Sequence, residues 1–263
     1  MWLNENDGTF MKRILIALFA LSIFGLSGCH IAIGDPSEPI PTETFSAPRP
    51  AGERTMVIVL PGFGADAYDM KVHGVQKTIQ DVWPEADVVL TSATMAYYRG
   101  SLVIDRLHDE IVVPAKRAGY QRVWLVAASM GGMAAILYEY KYPGMLNGVV
   151  LFAPFLGDKS LLEEIRDAGG PQAWNPGPLS PEITGDTYQR LMWKTVKDWS
   201  ARPELAKRIW LATGNVDRLM PASRLLAEAL PRDHFFELKG GHQWDTWLIG
   251  GKTVFSTVRN ANL

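Results

Sequence analysis

The stretch that most constrains this chain runs from Val123 to Tyr138 and reads VWLVAASMGGMAAILY. It begins as a short apolar run, typical of a buried strand, and it ends in alanines and leucine, which favour a helix. Apart from Met130, the residues between these parts are small. A strand that turns directly into a helix needs such residues, because the two elements nearly touch. We therefore expect Ser129 at a sharp bend beside a helix N-terminus, which suits a nucleophile.

The rest of the chain alternates between predicted strands and helices. This alternation predicts an α/β fold with a mostly parallel sheet of about six to eight strands and helices on both faces. With 263 residues, 47% of them hydrophobic, the chain can form one sizeable core. A helix is predicted over 101–118. The predicted strands are 55–60, 86–90, 122–127, 148–152, 208–212 and 235–238.

One segment, about 158–205, is too long for a single crossover between strands. We interpret it as a helical lid inserted over the carboxyl edge of the sheet, where such folds bind ligands. A helix is expected over 187–199. Trp174, Trp193 and Trp199 lie in this segment and hint at an apolar pocket, although tryptophans fill cores more often.

The N-terminal region resembles a bacterial lipoprotein signal peptide. A basic head at Met11-Lys-Arg13 precedes the apolar run 14–25, which is too short for a comfortable membrane span. Leu26-Ser-Gly-Cys29 then resembles a lipobox, and Cys29 is the only cysteine. The resemblance implies a signal peptide over 1–28 with its start at Met11, followed by cleavage and lipidation at Cys29. An ordinary signal peptide or an uncleaved anchor is the alternative.

By the lipoprotein sorting pattern, His30 favours the outer membrane, so we expect a lipid-anchored protein of the cell envelope that faces the periplasm. Residues 29–53 are rich in proline and are predicted to form an extended tether that holds the domain, 54–263, off the membrane.

Composition restricts the partners and cofactors. The formal charge is −2, from 26 basic and 28 acidic residues without a basic patch, so no nucleic-acid partner is expected. A single cysteine allows no intramolecular disulfide, and the sequence contains no phosphate-binding loop or metal-ligand cluster. We therefore predict no cofactor and no metal.

Ser129 needs partners at the ends of other strands. His242 follows the last predicted strand and two glycines, which allow close backbone approach, and is the candidate base. Asp217 lies at a turn after the fifth predicted strand and can orient that histidine. Asp158 is the rival acid. An oxyanion hole needs converging backbone N–H groups, for which Met130 and Phe63 are the candidates, with Gly64 as the alternative to Phe63.

This chain order, nucleophile then Asp217 then His242, is similar to that of the α/β-hydrolase superfamily over about residues 54–260. Leu60-Pro-Gly-Phe-Gly64 resembles the oxyanion loop of that superfamily, and Ser-Met-Gly-Gly at 129–132 resembles esterases and lipases. Ala127 departs from the motif, which has glycine at that position.

The resemblance implies a serine hydrolase that cleaves a small ester through an acyl-enzyme, and the tryptophans of the segment 158–205 suggest that the acyl group is apolar. Thioesterase, amidase, peptidase or acyltransferase chemistry remains open on the same fold, as does a non-catalytic binding lipoprotein.

Overall fold

A computed structural model describes residues 34–261, so the predicted signal peptide and Cys29 lie outside the described residues. The described chain forms a seven-stranded sheet in the order β1-β3-β2-β4-β5-β6-β7, in which β1 is antiparallel and the other strands are parallel. This confirms the predicted mostly parallel sheet. The strands are β1 Thr42–Phe45, β2 Thr55–Leu60, β3 Ala86–Thr91, β4 Arg122–Ala128, β5 Gly148–Phe152, β6 Ile209–Gly214 and β7 Phe235–Leu238.

Helices cover both faces of the sheet. In β2 every residue is buried, with Val57 and Val59 in one apolar cluster and Ile58 and Leu60 in the other, because alternate side chains of a strand point to opposite faces. The helices are α1 Ala67–Val72, α2 Val75–Val82, α3 Met95–Tyr98, α4 Leu102–Arg106, α5 Val113–Arg117, α6 Met130–Lys141, α7 Lys159–Asp167, α8 Tyr188–Ala201, α9 Pro203–Ala206, α10 Met220–Ala227 and α11 Trp244–Ala261. In the described part of the chain, no helix has the length and apolarity needed to span a membrane.

The structure corrects the predicted boundary between tether and domain at residue 53. Residues Thr42–Phe45 form β1, which pairs with β3 at the edge of the sheet, and the side chain of Ile40 is only 4% exposed. Proline rules out a helix or a central strand, but an edge strand needs backbone hydrogen bonds on one side only. The folded domain therefore includes residues that the sequence assigns to the tether.

The predicted helix over 101–118 is present, but it is not uniform. It consists of α4, a π-helical turn over Leu107–Val112, and α5. Pro114 has no N–H to donate to the carbonyl of Glu110, so the regular α-helical pattern cannot continue through this point. Ile104, Leu107 and Val112 are buried in the core, whereas Leu102 is 41% exposed.

The helix expected over 187–199 is observed as α8, Tyr188–Ala201. The tryptophans near it do not line a pocket, which corrects the hint drawn from the sequence. Trp174, Trp193 and Trp199 are each at most 2% exposed and belong to the main apolar core. The Trp193 indole N–H donates to the carbonyl of Leu156 at 2.7 Å, so its one polar atom is satisfied inside the core.

Candidate active site

Ser129 lies at a sharp bend between β4 and α6, as predicted. Its φ of 50° and ψ of −114° fall outside the common regions for a residue with a side chain, a strain of about 1–3 kcal/mol. Hydrogen bonds hold the bend on both sides: the Ser129 N–H donates to Phe152 O at 2.9 Å, and Ser129 O accepts from Phe155 N at 2.8 Å. The neighbouring strand β5 therefore fixes the direction of the serine side chain.

Small residues at the bend allow three chain segments to pack closely. A Cβ added to Gly131 would lie 2.6 Å from Pro61 O and 2.9 Å from Leu60 O, and one added to Gly62 would lie 3.3 Å from Ser129 Cβ. Ala127, the departure from the family motif, is fully buried and pairs with Leu60 and Leu151 in regular strand register. Alanine is therefore accommodated without disturbing the strand, because the bend itself begins at Ser129.

Replacing Gly131 with alanine is expected to lower the free energy of unfolding by about 2–3 kcal/mol, because the methyl group would overlap backbone oxygens that cannot move independently of β2. Urea denaturation measures the change. Gly52→Ala is the matched control, since a Cβ at Gly52 meets no atom within 4 Å. Equal stability of both variants would show that α6 and β2 are not in such close contact.

The structure brings Ser129, His242 and Asp217 together. His242 Nε2 lies 3.1 Å from Ser129 Oγ, and His242 Nδ1 lies 2.8 Å from Asp217 Oδ2. An ionised carboxylate only accepts hydrogen bonds, so Nδ1–H is the donor to Asp217. In a neutral imidazole Nε2 is then unprotonated and accepts the hydroxyl proton of Ser129. These contacts provide the geometry of a serine nucleophile with its base and orienting acid.

Asp217 is held in position by its own loop. Its side chain is 0% exposed, and its second oxygen, Oδ1, accepts from the Leu219 N–H at 2.8 Å. The Asp217 N–H donates to Gly214 O at 3.0 Å, which closes the turn after β6. Both carboxylate oxygens therefore have a donor, so a buried charge at this position is compensated.

Asn215 couples the acid loop to the histidine loop, a role that sequence reasoning missed. Its Oδ1 accepts from the Gly240 N–H at 3.1 Å and its own N–H donates to Leu238 O at 2.7 Å. The Trp247 ring lies nearly perpendicular to the His242 imidazole, with the ring centroids 5.0 Å apart. An asparagine two residues before the acid is a weak signal, and nothing in the sequence pointed to Trp247.

Asp158, the rival acid, and two of the other histidines make contacts with residues other than Ser129. Asp158 accepts from the Gln189 side chain at 2.7 Å. His73 stacks on Trp244, and His234 Nδ1 bonds Ile209 O at 2.9 Å. The structure therefore places Asp217 and His242, rather than these alternatives, beside Ser129.

The oxyanion candidates flank the same serine. Met130 is the first residue of α6, so its N–H belongs to the first helical turn, whose N–H groups have no acceptor within the helix. Phe63 follows Gly62, the glycine in close contact with Ser129. Phe63, Ser129 and Met130 all line one cavity. Two backbone N–H groups at this position can stabilise negative charge on a bound carbonyl oxygen.

The cavity has a volume of about 700 Å³ and mostly apolar walls. Among the described lining residues Arg218 is the only charged side chain. The Tyr98 hydroxyl is buried without a hydrogen-bond partner in the described structure, and burial raises the pKa of Tyr98 above its usual value. The described residues contain no cluster of three or more metal-ligating side chains. The lining residues are Phe63, Met95, Tyr98, Ser101, Val103, Ile104, Ser129, Met130, Met133, Ala134, Leu137, Phe155, Ile183, Thr184, Gly185, Tyr188 and Arg218.

The mostly parallel sheet, the strand–serine–helix bend and the two loops that meet it define an α/β hydrolase. Within this superfamily the chain belongs to the family described as serine aminopeptidase, S33, whose model matches residues 61–204. The matched region contains Phe63, Ser129 and most of the predicted lid, whereas Asp217 and His242 follow it. No curated protein matches the sequence.

Solved structures share the fold at low sequence identity. A monoacylglycerol lipase from Paleococcus ferrophilus is 15% identical with a TM-score of 0.52, over 84% of this chain and 100% of that one. Est1E from Butyrivibrio proteoclasticus is 12% identical with a TM-score of 0.57, over 85% and 94%. An S-formylglutathione hydrolase from Staphylococcus aureus is 13% identical with a TM-score of 0.57, over 83% and 98%. At these identities the likeness establishes the fold and leaves the substrate open.

Proposed function

We propose that this protein hydrolyses carboxylic esters with an apolar acyl group, using Ser129 as nucleophile, His242 as base and Asp217 as orienting acid. One observation carries the proposal: Ser129, which lines a mostly apolar cavity of about 700 Å³, is hydrogen-bonded to His242, which is in turn hydrogen-bonded to Asp217. Acyl transfer needs a nucleophile, a base, and an acid that holds the base in the correct tautomer.

The first step forms an acyl-enzyme. Ser129 Oγ attacks the ester carbonyl carbon while its proton moves to His242 Nε2, and the carbonyl oxygen becomes an oxyanion. The N–H groups of Met130 and Phe63 stabilise this oxyanion. When the tetrahedral intermediate collapses, the bond to the alcohol oxygen breaks and His242 returns the proton to that oxygen.

The second step releases the acid. A water molecule takes the place of the alcohol, His242 Nε2 accepts its proton, and the hydroxyl oxygen attacks the acyl carbon. The bond to Ser129 Oγ then breaks and the serine regains its proton from His242. Asp217 stabilises the protonated imidazole in both steps and keeps its orientation.

The cavity walls favour an apolar acyl chain over an amino-acid substrate. Met133, Leu137 and Phe155 provide apolar surface near Ser129. An aminopeptidase also needs a carboxylate to bind the free ammonium group of its substrate, whereas the only charged residue among the described lining residues is the cation Arg218. These features favour ester hydrolysis over the peptidase activity that the family description names.

Hydrolysis of p-nitrophenyl esters over a range of acyl lengths tests the proposal, with aminoacyl p-nitroanilides assayed in parallel. We expect turnover of the esters, a preference for apolar acyl chains, and labelling by a fluorophosphonate probe. Turnover of the anilides alone would instead indicate an aminopeptidase. A chain that turns over neither substrate and takes no label would be a binding protein built on a hydrolase fold.

Replacing Ala134 with phenylalanine is expected to raise KM for long-chain esters about tenfold while leaving acetate esters within about twofold. Ala134 lines the cavity from α6 and is 1% exposed, so a phenyl ring at this position would occupy space that a long acyl chain needs. Steady-state kinetics across acyl lengths measures the effect, and Ala134→Ser is the control of nearly unchanged size. An equal loss for all chain lengths would mean that the acyl group binds elsewhere.

We further propose that Cys29 carries lipid and anchors the enzyme in the bacterial cell envelope, at the outer membrane. The basic head, the apolar run and the lipobox-like Leu26-Ser-Gly-Cys29 support this anchor. Incorporation of a labelled fatty acid in the intact chain and its loss in Cys29→Ser test it.

A further inference from the structure

The chain enters the fold at the end of the sheet where Ser129 lies. Strand β1 is antiparallel to β3, and its first residue, Thr42, pairs with Thr91, the last residue of β3. The strands β2 to β7 all end at this carboxyl edge of the sheet. Ser129 lies at the same edge, because it comes directly after β4. Residues that precede Thr42 therefore lie on the side of the molecule that contains the catalytic groups.

These preceding residues are bound to the domain rather than extended away from it. The Ile40 N–H donates to Glu110 Oε2 at 2.8 Å, and Pro39 O accepts from the Tyr97 hydroxyl at 3.2 Å. A Cβ at Gly34 would lie 3.2 Å from Ala96 Cβ, so the first described residue also contacts this region. The segment 34–41 therefore packs along α3, the helix from which Met95 and Tyr98 line the cavity.

This arrangement shortens the tether that the sequence predicts. Cys29 precedes Gly34 by five residues, which span at most about 17 Å when fully extended. A lipid on Cys29 would therefore hold the edge of the domain beside the cavity close to the membrane surface. This short span does not fit the prediction that residues 29–53 hold the domain off the membrane.

Exposed apolar side chains occur in the loops and helix ends that contribute to the cavity. The exposed lining residues, among them Phe63, Gly185 and Arg218, indicate where it opens. Phe63 is 56% exposed, Leu102, between two lining residues, is 41% exposed, and Val216, near Arg218, is 76% exposed. Single exposed apolar residues are ordinary, but Phe63 lines the apolar cavity, and Leu102 and Val216 lie within two residues of lining residues in segments that follow the carboxyl ends of β3 and β6, on the side where the N-terminal segment enters.

We propose that this face, defined by Phe63, Leu102 and Val216, docks on the bilayer that holds the Cys29 lipid, and that the cavity takes its ester substrates from that bilayer. The proposal rests on the lipidation and the ester hydrolysis proposed above. The short distance from Cys29 to Gly34 keeps this face at the membrane surface, and the three apolar side chains enter the interface. An acyl chain can then pass from lipid into the cavity without full exposure to water.

Depth-dependent fluorescence quenching tests the orientation. The lipidated full chain is reconstituted in phosphatidylglycerol–phosphatidylethanolamine vesicles that contain nitroxide lipids, with a thiol-reactive fluorophore at Leu102→Cys or Val216→Cys. The control is Ala118→Cys, an exposed site just before β4 at the opposite edge of the sheet. We expect at least threefold stronger quenching at residues 102 and 216 than at 118. Equal quenching, or stronger quenching at 118, would overturn the proposal.

A longer tether tests the consequence for substrate access. Twenty glycine and serine residues inserted between residues 33 and 34 add about 25 Å of mean reach. We expect about a tenfold lower rate on a long-chain ester embedded in the vesicles, with an unchanged rate on soluble p-nitrophenyl acetate. An unchanged rate on both substrates would refute delivery from the bilayer. Absence of fatty-acid label at Cys29 would remove the anchor and this proposal, while the soluble assay reports the ester hydrolysis independently.

Discussion

Replacing Ser129 with alanine is expected to lower kcat for p-nitrophenyl esters by about four to six orders of magnitude, the usual cost of removing a triad nucleophile. The reason is chemical, because without Oγ no acyl-enzyme forms. The proposed oxyanion donors, the N–H groups of Phe63 and Met130, remain, so a small residual rate above that in water is expected. Burst kinetics and fluorophosphonate labelling measure the loss directly.

The fold should survive this change. Alanine keeps the Cβ of serine, so the backbone strain at φ 50° is unchanged and the thermal midpoint should stay within about 3 °C of the parent. Ser200→Ala is the matched control, since Ser200 lies on α8 and its hydroxyl bonds Val196 O at 3.3 Å. A Ser129→Ala protein that folds normally and retains full ester turnover would remove Ser129 as the nucleophile.

Replacing Asp217 with asparagine is expected to lower kcat by about four orders of magnitude with little change in KM. The asparagine Oδ1 can still accept from the Leu219 N–H, so the loop keeps its conformation. Its amide then faces His242 Nδ1 and donates to it, which favours the tautomer protonated at Nε2. That tautomer cannot accept the proton of Ser129, so the loss falls on the chemical step.

Asp158 provides the control for this prediction, because it is the other acid that the sequence allows. Asp158→Asn breaks only contacts with the Gln189 side chain on the lid segment, and we expect kcat within about twofold of the parent. Single-turnover kinetics on both variants separates chemistry from binding. A large loss in Asp158→Asn together with none in Asp217→Asn would reverse the assignment of the acid.

Most of the sheet was predictable from sequence, but its edge was not. The strands β2 to β5 are runs of β-branched and other apolar residues that are nearly all buried. Their local composition is therefore sufficient to predict them as strands. Strand β1, Thr-Glu-Thr-Phe, has no residue with a buried side chain and lies among prolines. It is a strand because it pairs with β3, and pairing is not a property of the four residues themselves.

The lining of the cavity could not be predicted from the sequence either. Composition suggested that the lid tryptophans contribute to a binding pocket, yet they fill the core, and methionines from α3 and α6 line the cavity instead. Side-chain direction along α8 depends on which face packs against α6, and a tryptophan count does not contain that information.

The sequence by itself determined the α/β class, the bend at Ser129 and the residue types that can act with it, because periodicity and small residues are local signals. Only the tertiary structure decided that His242, far from Ser129 along the chain, lies within hydrogen-bond distance of both Ser129 and Asp217, and that Asn215 bonds the loop that carries His242. It also decided that residues 34–45 belong to the domain and enter it beside the cavity. These outcomes depend on strand order and register, through which the sheet brings the ends of distant strands to one edge.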